Sequence, residues 1–198
     1  MAFIGEFSAL ATSLLFTATS TQFTLAGRRV GALVVNRTRL LLAILFLATA
    51  HWILNIPLPL RVGAERWFWL GLSGIIGLVI GDAFLFQAFV WIGPRLSMLL
   101  MSLAPILASL VAWIFLHEIL SSMQVIGILF TITGIAWVIL EKNGTSITTT
   151  QNPNYMRGVV FGLGAATGQA LGLIFAKQGS TGGFSPLSGT LLRMFVAA

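Results

Sequence analysis

The chain has 198 residues, of which 57% are hydrophobic and only 8% charged, with a net charge of +6 and no cysteine. About a quarter of an ordinary soluble domain is charged, so a soluble globule is excluded, and a mean hydropathy of +0.97 points to a polytopic membrane protein. Disulfides, thiol nucleophiles and cysteine-based metal sites are excluded too, and the scattered basic residues read as loop anchors and topology signals rather than as a nucleic-acid surface.

A membrane-spanning helix needs about 20 mostly apolar residues. In chain order the candidate spans are Phe3–Ala26, Leu33–Ile56, Trp67–Trp91, Leu96–Leu116, Ser121–Leu140 and Gly158–Ala176, with a seventh starting near Pro186. The N-terminus has neither a basic region nor a small-residue cleavage site, so the first apolar segment reads as a retained span. That span carries Ser13, Thr17, Ser20, Thr21 and Thr24 at steps of three and four, a hydroxyl stripe on one helix face. The stripe serves either as helix–helix glue or as the lining of a conduit, with Ser13 and Thr17 as candidate path residues. Arg37 and Arg39 open the second span; they either snorkel to the interface or reach a cavity, where Arg39 would meet an anionic group. His51, near the other end of that span, reads as interfacial.

The third span holds Asp82, the sole aspartate, 15 residues after Trp67 and 9 before Trp91. On an unbroken helix it sits roughly 13 Å or more from either end, near mid-membrane. A carboxylate there costs at least about 2.5–3.5 kcal/mol on insertion scales, and such residues usually face a bundle interior or a watery cavity. The functional reading is a substrate, ion or proton path; the structural one is a bond to a neighbouring helix or a cap after Gly81. Gln87, five residues on, lies about 140° around the helix and serves either the path or the helix packing.

Gly93-Pro94 marks the next turn. Pro105 lies inside the fourth span, where it removes a hydrogen bond to the Met101 carbonyl and is expected to kink the helix, with Ser102 able to occupy the freed carbonyl. Glu118, after that span, is a turn residue or a gating and coupling candidate. Small-residue spacings at Gly77 and Gly81, at Gly127 and Gly134, and at Gly164, Gly168 and Gly172 predict close helix packing. Residues 142–156 form the longest polar stretch and a linker between two halves. No residue set implies a cofactor, a metal site, a catalytic triad or a nucleotide-binding phosphate loop.

"FTLAGRRVG…NRTRLLLAI" and "FAKQGSTGG…TLLRMFVAA" share a pattern: Phe23 or Phe175, a Gly four residues on, then Arg39 or Arg193 leading an apolar run. Five spans precede the second copy, and that odd number would turn it upside down in the membrane. The last apolar run, about 13 residues, covers roughly 20 Å, less than the roughly 30 Å hydrocarbon core. The expectation is therefore a chain that continues in a longer protein.

The stretch from Gly71 to Glu141 resembles the EamA repeat of the drug/metabolite transporter superfamily. "GLVIGDAFLFQAFVWIGPR" reads like that repeat's third helix and turn, "LAPILASLVAWIFLHE" like its fourth helix and "QVIGILFTITGIAWVIL" like its closing helix; "GEFSALATSLLFTATS" fits its first. The likeness covers one repeat, residues 3–141, and the start of a second, 157–198. It implies an all-α polytopic membrane protein built from a five-helix EamA repeat and an inverted second repeat, about six and a half transmembrane helices being present. It also implies a central cavity, alternating access and transport of small metabolites, often export, from the inner or plasma membrane. The implied partners are the lipid bilayer, a small-molecule substrate and the remaining helices of the second repeat, or a homodimer mate; the alternative reading is a non-catalytic membrane subunit or scaffold that is itself inactive in transport.

Overall fold

The computed structural model describes residues 4–59, 62–116, 120–144 and 153–198, and among them the secondary structure is helical with no strand. The elements are α1 (Ile4–Val30), α2 (Ala32–Ile53), α3 (Ala64–Ser73), a π-helical stretch (Gly74–Gly81), α4 (Asp82–Met101), α5 (Ala104–Leu116), α6 (Ser122–Gly144), α7 (Tyr155–Gly179) and α8 (Pro186–Ala197). Among the described residues four helical runs are long and apolar enough to cross a membrane: Ala32–Ile53, Ala64–Met101, Ser122–Glu141 and Tyr155–Gly179. α1 has 27 residues, about 40 Å of helix, but its hydroxyls dilute its apolar character. Leu45, Phe46, Phe130 and Trp137 are exposed. Apolar surface of this extent has no stable place in water and is what lipid requires. The protein is an integral, multi-pass membrane protein.

The third span starts three residues before Trp67, and α3, the π-stretch and α4 form one continuous run. It breaks at Gly93, whose φ of 80° suits glycine, so the chain turns there although helical bonding resumes at once with Pro94. The fourth span is interrupted at Ser102–Leu103, and Pro105 stands in the first turn of α5 rather than mid-helix. In a first turn proline forfeits no intrahelical bond. The Ser102 hydroxyl donates to the Leu99 carbonyl at 2.6 Å, not to the Met101 carbonyl that the sequence suggested.

The π-stretch has a visible cause. Gly77 and Gly81 lie against Gly172 and Gly168 of α7. A Cβ at Gly168 would stand 2.8 Å from the Gly81 Cα, and one at Gly172 would stand 2.9 Å from the Gly77 Cα. The Ser73 hydroxyl donates to the Gly172 carbonyl across the same seam. A backbone-to-backbone crossing this close needs glycine on both sides. The wide π-turn re-routes the Asp82 N–H to the Gly77 carbonyl, which frees the Leu78 carbonyl. The Asn36 Nδ2 of α2 donates to that carbonyl at 3.0 Å. π-turns of this kind recur at functional sites, and this one ends on Asp82.

His51, in the last turn of α2, is buried, 1% exposed. Its Nε2 lies 3.0 Å from the Ser188 hydroxyl of α8 and its Nδ1 2.8 Å from the Leu47 carbonyl. The carbonyl can only accept, so Nδ1 carries the proton and the Ser188 hydroxyl donates to Nε2. Ser188→Ala would leave a buried ring nitrogen unpaired, a cost of about 1–3 kcal/mol. A thermal-denaturation midpoint that falls further in Ser188→Ala than in Thr190→Ala, two residues on, checks this.

α6 continues through Gly144 and α7 begins at Tyr155, so both helices enter the 142–156 segment, of which residues 145–152 lie outside the described residues. Nothing lies within 4 Å of a Cβ built at Gly127 or Gly134. The flat face expected of α6 thus meets no other helix among the described residues.

Candidate functional site

The site is built where α1, α2, α4 and α7 meet around Asp82. Asp82 starts α4 directly after the π-stretch and is 6% exposed. One of its carboxylate oxygens accepts a hydrogen bond from the Arg39 guanidinium, closing an ion pair between α2 and α4. Arg39 reaches it because α2 begins at Ala32 and so carries Arg39 two turns inside the helix, while Arg37 on the other face is exposed. The Arg39 guanidinium also lies 5.3 Å from the centroid of the Phe86 ring. Phe86 in turn packs on Phe23 and Phe89, at 5.0 and 5.8 Å between centroids. The guanidinium is thus held between a carboxylate and an aromatic face.

A second cation acts on Asp82. Arg193 of α8 interacts electrostatically with it, and one of its terminal guanidinium nitrogens would lie 3.4 Å from a Cβ at Gly77. The Arg193 Nε is buried with no hydrogen-bond partner. Of the two arginines that occupy corresponding places in the sequence pattern, Arg39 pairs with Asp82 and Arg193 reaches the π-stretch that leads to it. Other members of that pattern behave in parallel. Gly27 packs on Val90 and Phe23 on Phe86, past Asp82 along the third span, while Gly179 packs on Leu70 and Phe175 on Trp69, before it.

Asp82 and Arg39 line a cavity of about 120 Å³, together with Ser20, Thr19, Gln169 and a wall of phenylalanines. Beside it runs an open groove of about 970 Å³ lined by Thr12, Ser13, Thr17, Thr21 and Arg95. Phe16 and Ser20 border both. The hydroxyls do not wait unpaired: Thr17 donates to the Ser13 carbonyl, Ser20 and Thr21 to the Thr17 carbonyl, and Thr24 to the Ser20 carbonyl. Each keeps its oxygen lone pairs available to a passing ligand.

A family model for EamA-like transporters matches residues 3–140. The chain belongs to the EamA-like transporter family. It is thus a membrane transporter of small molecules. No curated protein and no solved structure matches it.

Within this EamA chain the other residues singled out from the sequence fall apart from Asp82. Gln87 is half-buried on α4 and lines neither the cavity nor the groove. Glu118 lies outside the described residues, as does His117. Gly164 faces the Phe84 ring, 2.6 Å from where its Cβ would be, one turn before Gly168. Three participants were not singled out: Asn36, Gln169 and the phenylalanine wall. Each is an ordinary residue of an apolar helix until a distant segment is brought against it, so no local signal marked them.

Proposed function

We propose that the chain is a secondary transporter that moves a small polar metabolite through alternating access, with export as the direction the family resemblance implies and the inner or plasma membrane as its place. The observation that carries this reading is the lone aspartate lining a cavity inside the longest apolar run, next to a hydroxyl-bordered groove that shares Phe16 and Ser20 with it. An acid kept only for helix packing has no need of a cavity beside it. Arg39 is the cargo-contacting residue, Asp82 holds it in place, and Ser13 and Thr17 border the way in. The parallel packing of the two sequence units around the third span supports an inverted-repeat organisation in which the halves rock about Asp82.

Proteoliposomes containing the purified chain test this. Saturable flux of members of a metabolite panel is expected without ATP, and Asp82→Asn is expected to lower it by more than about tenfold, because Arg39 loses the charge-assisted bond, worth about 1.5–3 kcal/mol, that positions it for the cargo. Flux that survives Asp82→Asn at every pH removes Asp82 from the route.

A further inference from the structure

The charges that meet inside the membrane do not balance. Among the described residues gathered there, Asp82 contributes −1 and is paired with Arg39, and Arg193, with its Nε buried and unpartnered and its guanidinium at the π-stretch, adds a second positive charge, so the set carries +1. A residual charge in a low-dielectric interior is costly, and a counter-charge cancels the cost. A cation would raise the sum to +2, and a neutral solute would leave it unchanged. A monoanion brings it to zero. Arg39, which lines the cavity, is the cation an entering ligand meets. When it turns from Asp82 to the ligand, Arg193 remains to compensate the aspartate.

An independent feature adds a second requirement. The Gln169 Oε1 is buried and has no hydrogen-bond partner, and Gln169 lines the same cavity. A buried acceptor left empty costs about 1–3 kcal/mol, which a donor on the ligand recovers. The cavity holds about four waters' worth of volume at about 30 Å³ each, enough for a small organic acid.

Resting on the transporter reading above, we infer that the cargo is a small monoanion carrying a hydroxyl donor, a hydroxycarboxylate, whose carboxylate is taken by Arg39 and whose hydroxyl donates to the Gln169 Oε1.

Equilibrium binding to the whole chain in nanodiscs, followed calorimetrically, tests the cargo class without requiring flux. The probes are lactate, propionate, lactamide and tetramethylammonium. Lactate is expected to bind tightest, with propionate about fivefold weaker and the neutral and cationic probes at least about tenfold weaker. Arg39→Gln is expected to lose lactate by about tenfold or more. Gln169→Leu is expected to bring lactate down to the level of propionate while leaving propionate within about twofold of its original affinity, which also shows that the variant is folded. Lactamide or tetramethylammonium binding as well as lactate, a lactate preference that survives Gln169→Leu, or no binding by any probe overturns the inference. Lactate binding without flux in proteoliposomes overturns the transporter reading and keeps the cargo class. Flux of a neutral or cationic metabolite by a chain that does not bind lactate does the reverse.

Discussion

Asp82→Asn is expected to destabilise the protein more than Arg39→Gln does, although both break the same ion pair. Removing one partner of a buried pair commonly costs about 3–5 kcal/mol because the other charge is left uncompensated. Arg39 is about a quarter exposed, 27% against 9% for Asp82, so the lower end of that range applies. The difference between the variants comes from the third charge. With asparagine at 82 the set of +2 and −1 becomes +2. With glutamine at 39 it becomes zero, since Arg193 still faces Asp82. The double variant carries +1 and is expected to lie between them, nearer to Arg39→Gln. Thermal denaturation of the three variants in one detergent checks the order, and Arg39→Gln falling at or below Asp82→Asn contradicts it.

The glycine seam gives the second large effect. Gly168→Ala would place a methyl 2.8 Å from the Gly81 Cα and 3.1 Å from the Ile76 carbonyl oxygen, both backbone atoms that cannot swing away. Overpacking of this kind costs about 1–3 kcal/mol, and the gain in helix propensity of about 1 kcal/mol recovers part of it at most. Gly172→Ala meets the Gly77 Cα at 2.9 Å and is expected to behave alike. Gly134→Ala meets nothing within 4 Å, so only the propensity gain remains and the variant is expected to be neutral or slightly stabilised. The consequence reaches the site, because pushing α7 off the π-stretch moves the residue that follows it. Any Gly168→Ala protein that still folds is expected to lose flux out of proportion to its stability. A measured flux equal to that of the original chain at a temperature where both are folded would show that the seam does not position Asp82.

Much of this architecture was legible in the sequence because lipid imposes a blunt rule: helices that cross it must be long and apolar. The four spanning runs and the turn at Gly93 follow from that rule, and Asp82 falls inside the longest of those runs. The π-stretch was not legible, since an α-turn and a π-turn differ by one residue in how the carbonyls are shared and no composition marks the choice. Only the opposing glycines of α7, nearly a hundred positions away, show why the backbone widens there. The burial of His51 was not legible for a similar reason: near the end of a span, a histidine has no visible partner until α8 arrives with Ser188. Pro105 was misplaced within its helix because hydropathy continues smoothly across Ser102 and Leu103, where hydrogen bonding does not. The Arg39–Asp82 contact joins residues 43 apart. Sequence supplied both as candidates, but the pairing required the fold.

The central claim is that Asp82 and Arg39 face a space that an aqueous solute enters. The chain contains no cysteine, so single cysteines can be introduced without removing any. Labelling of reconstituted Ser20→Cys and of Leu45→Cys by a small anionic, membrane-impermeant thiol reagent measures this directly. The account predicts rapid labelling at position 20, slowed by saturating lactate, and none at position 45, which faces lipid. Equal inertness at the two positions would mean that the cavity beside Asp82 is sealed and dry, and would contradict the account.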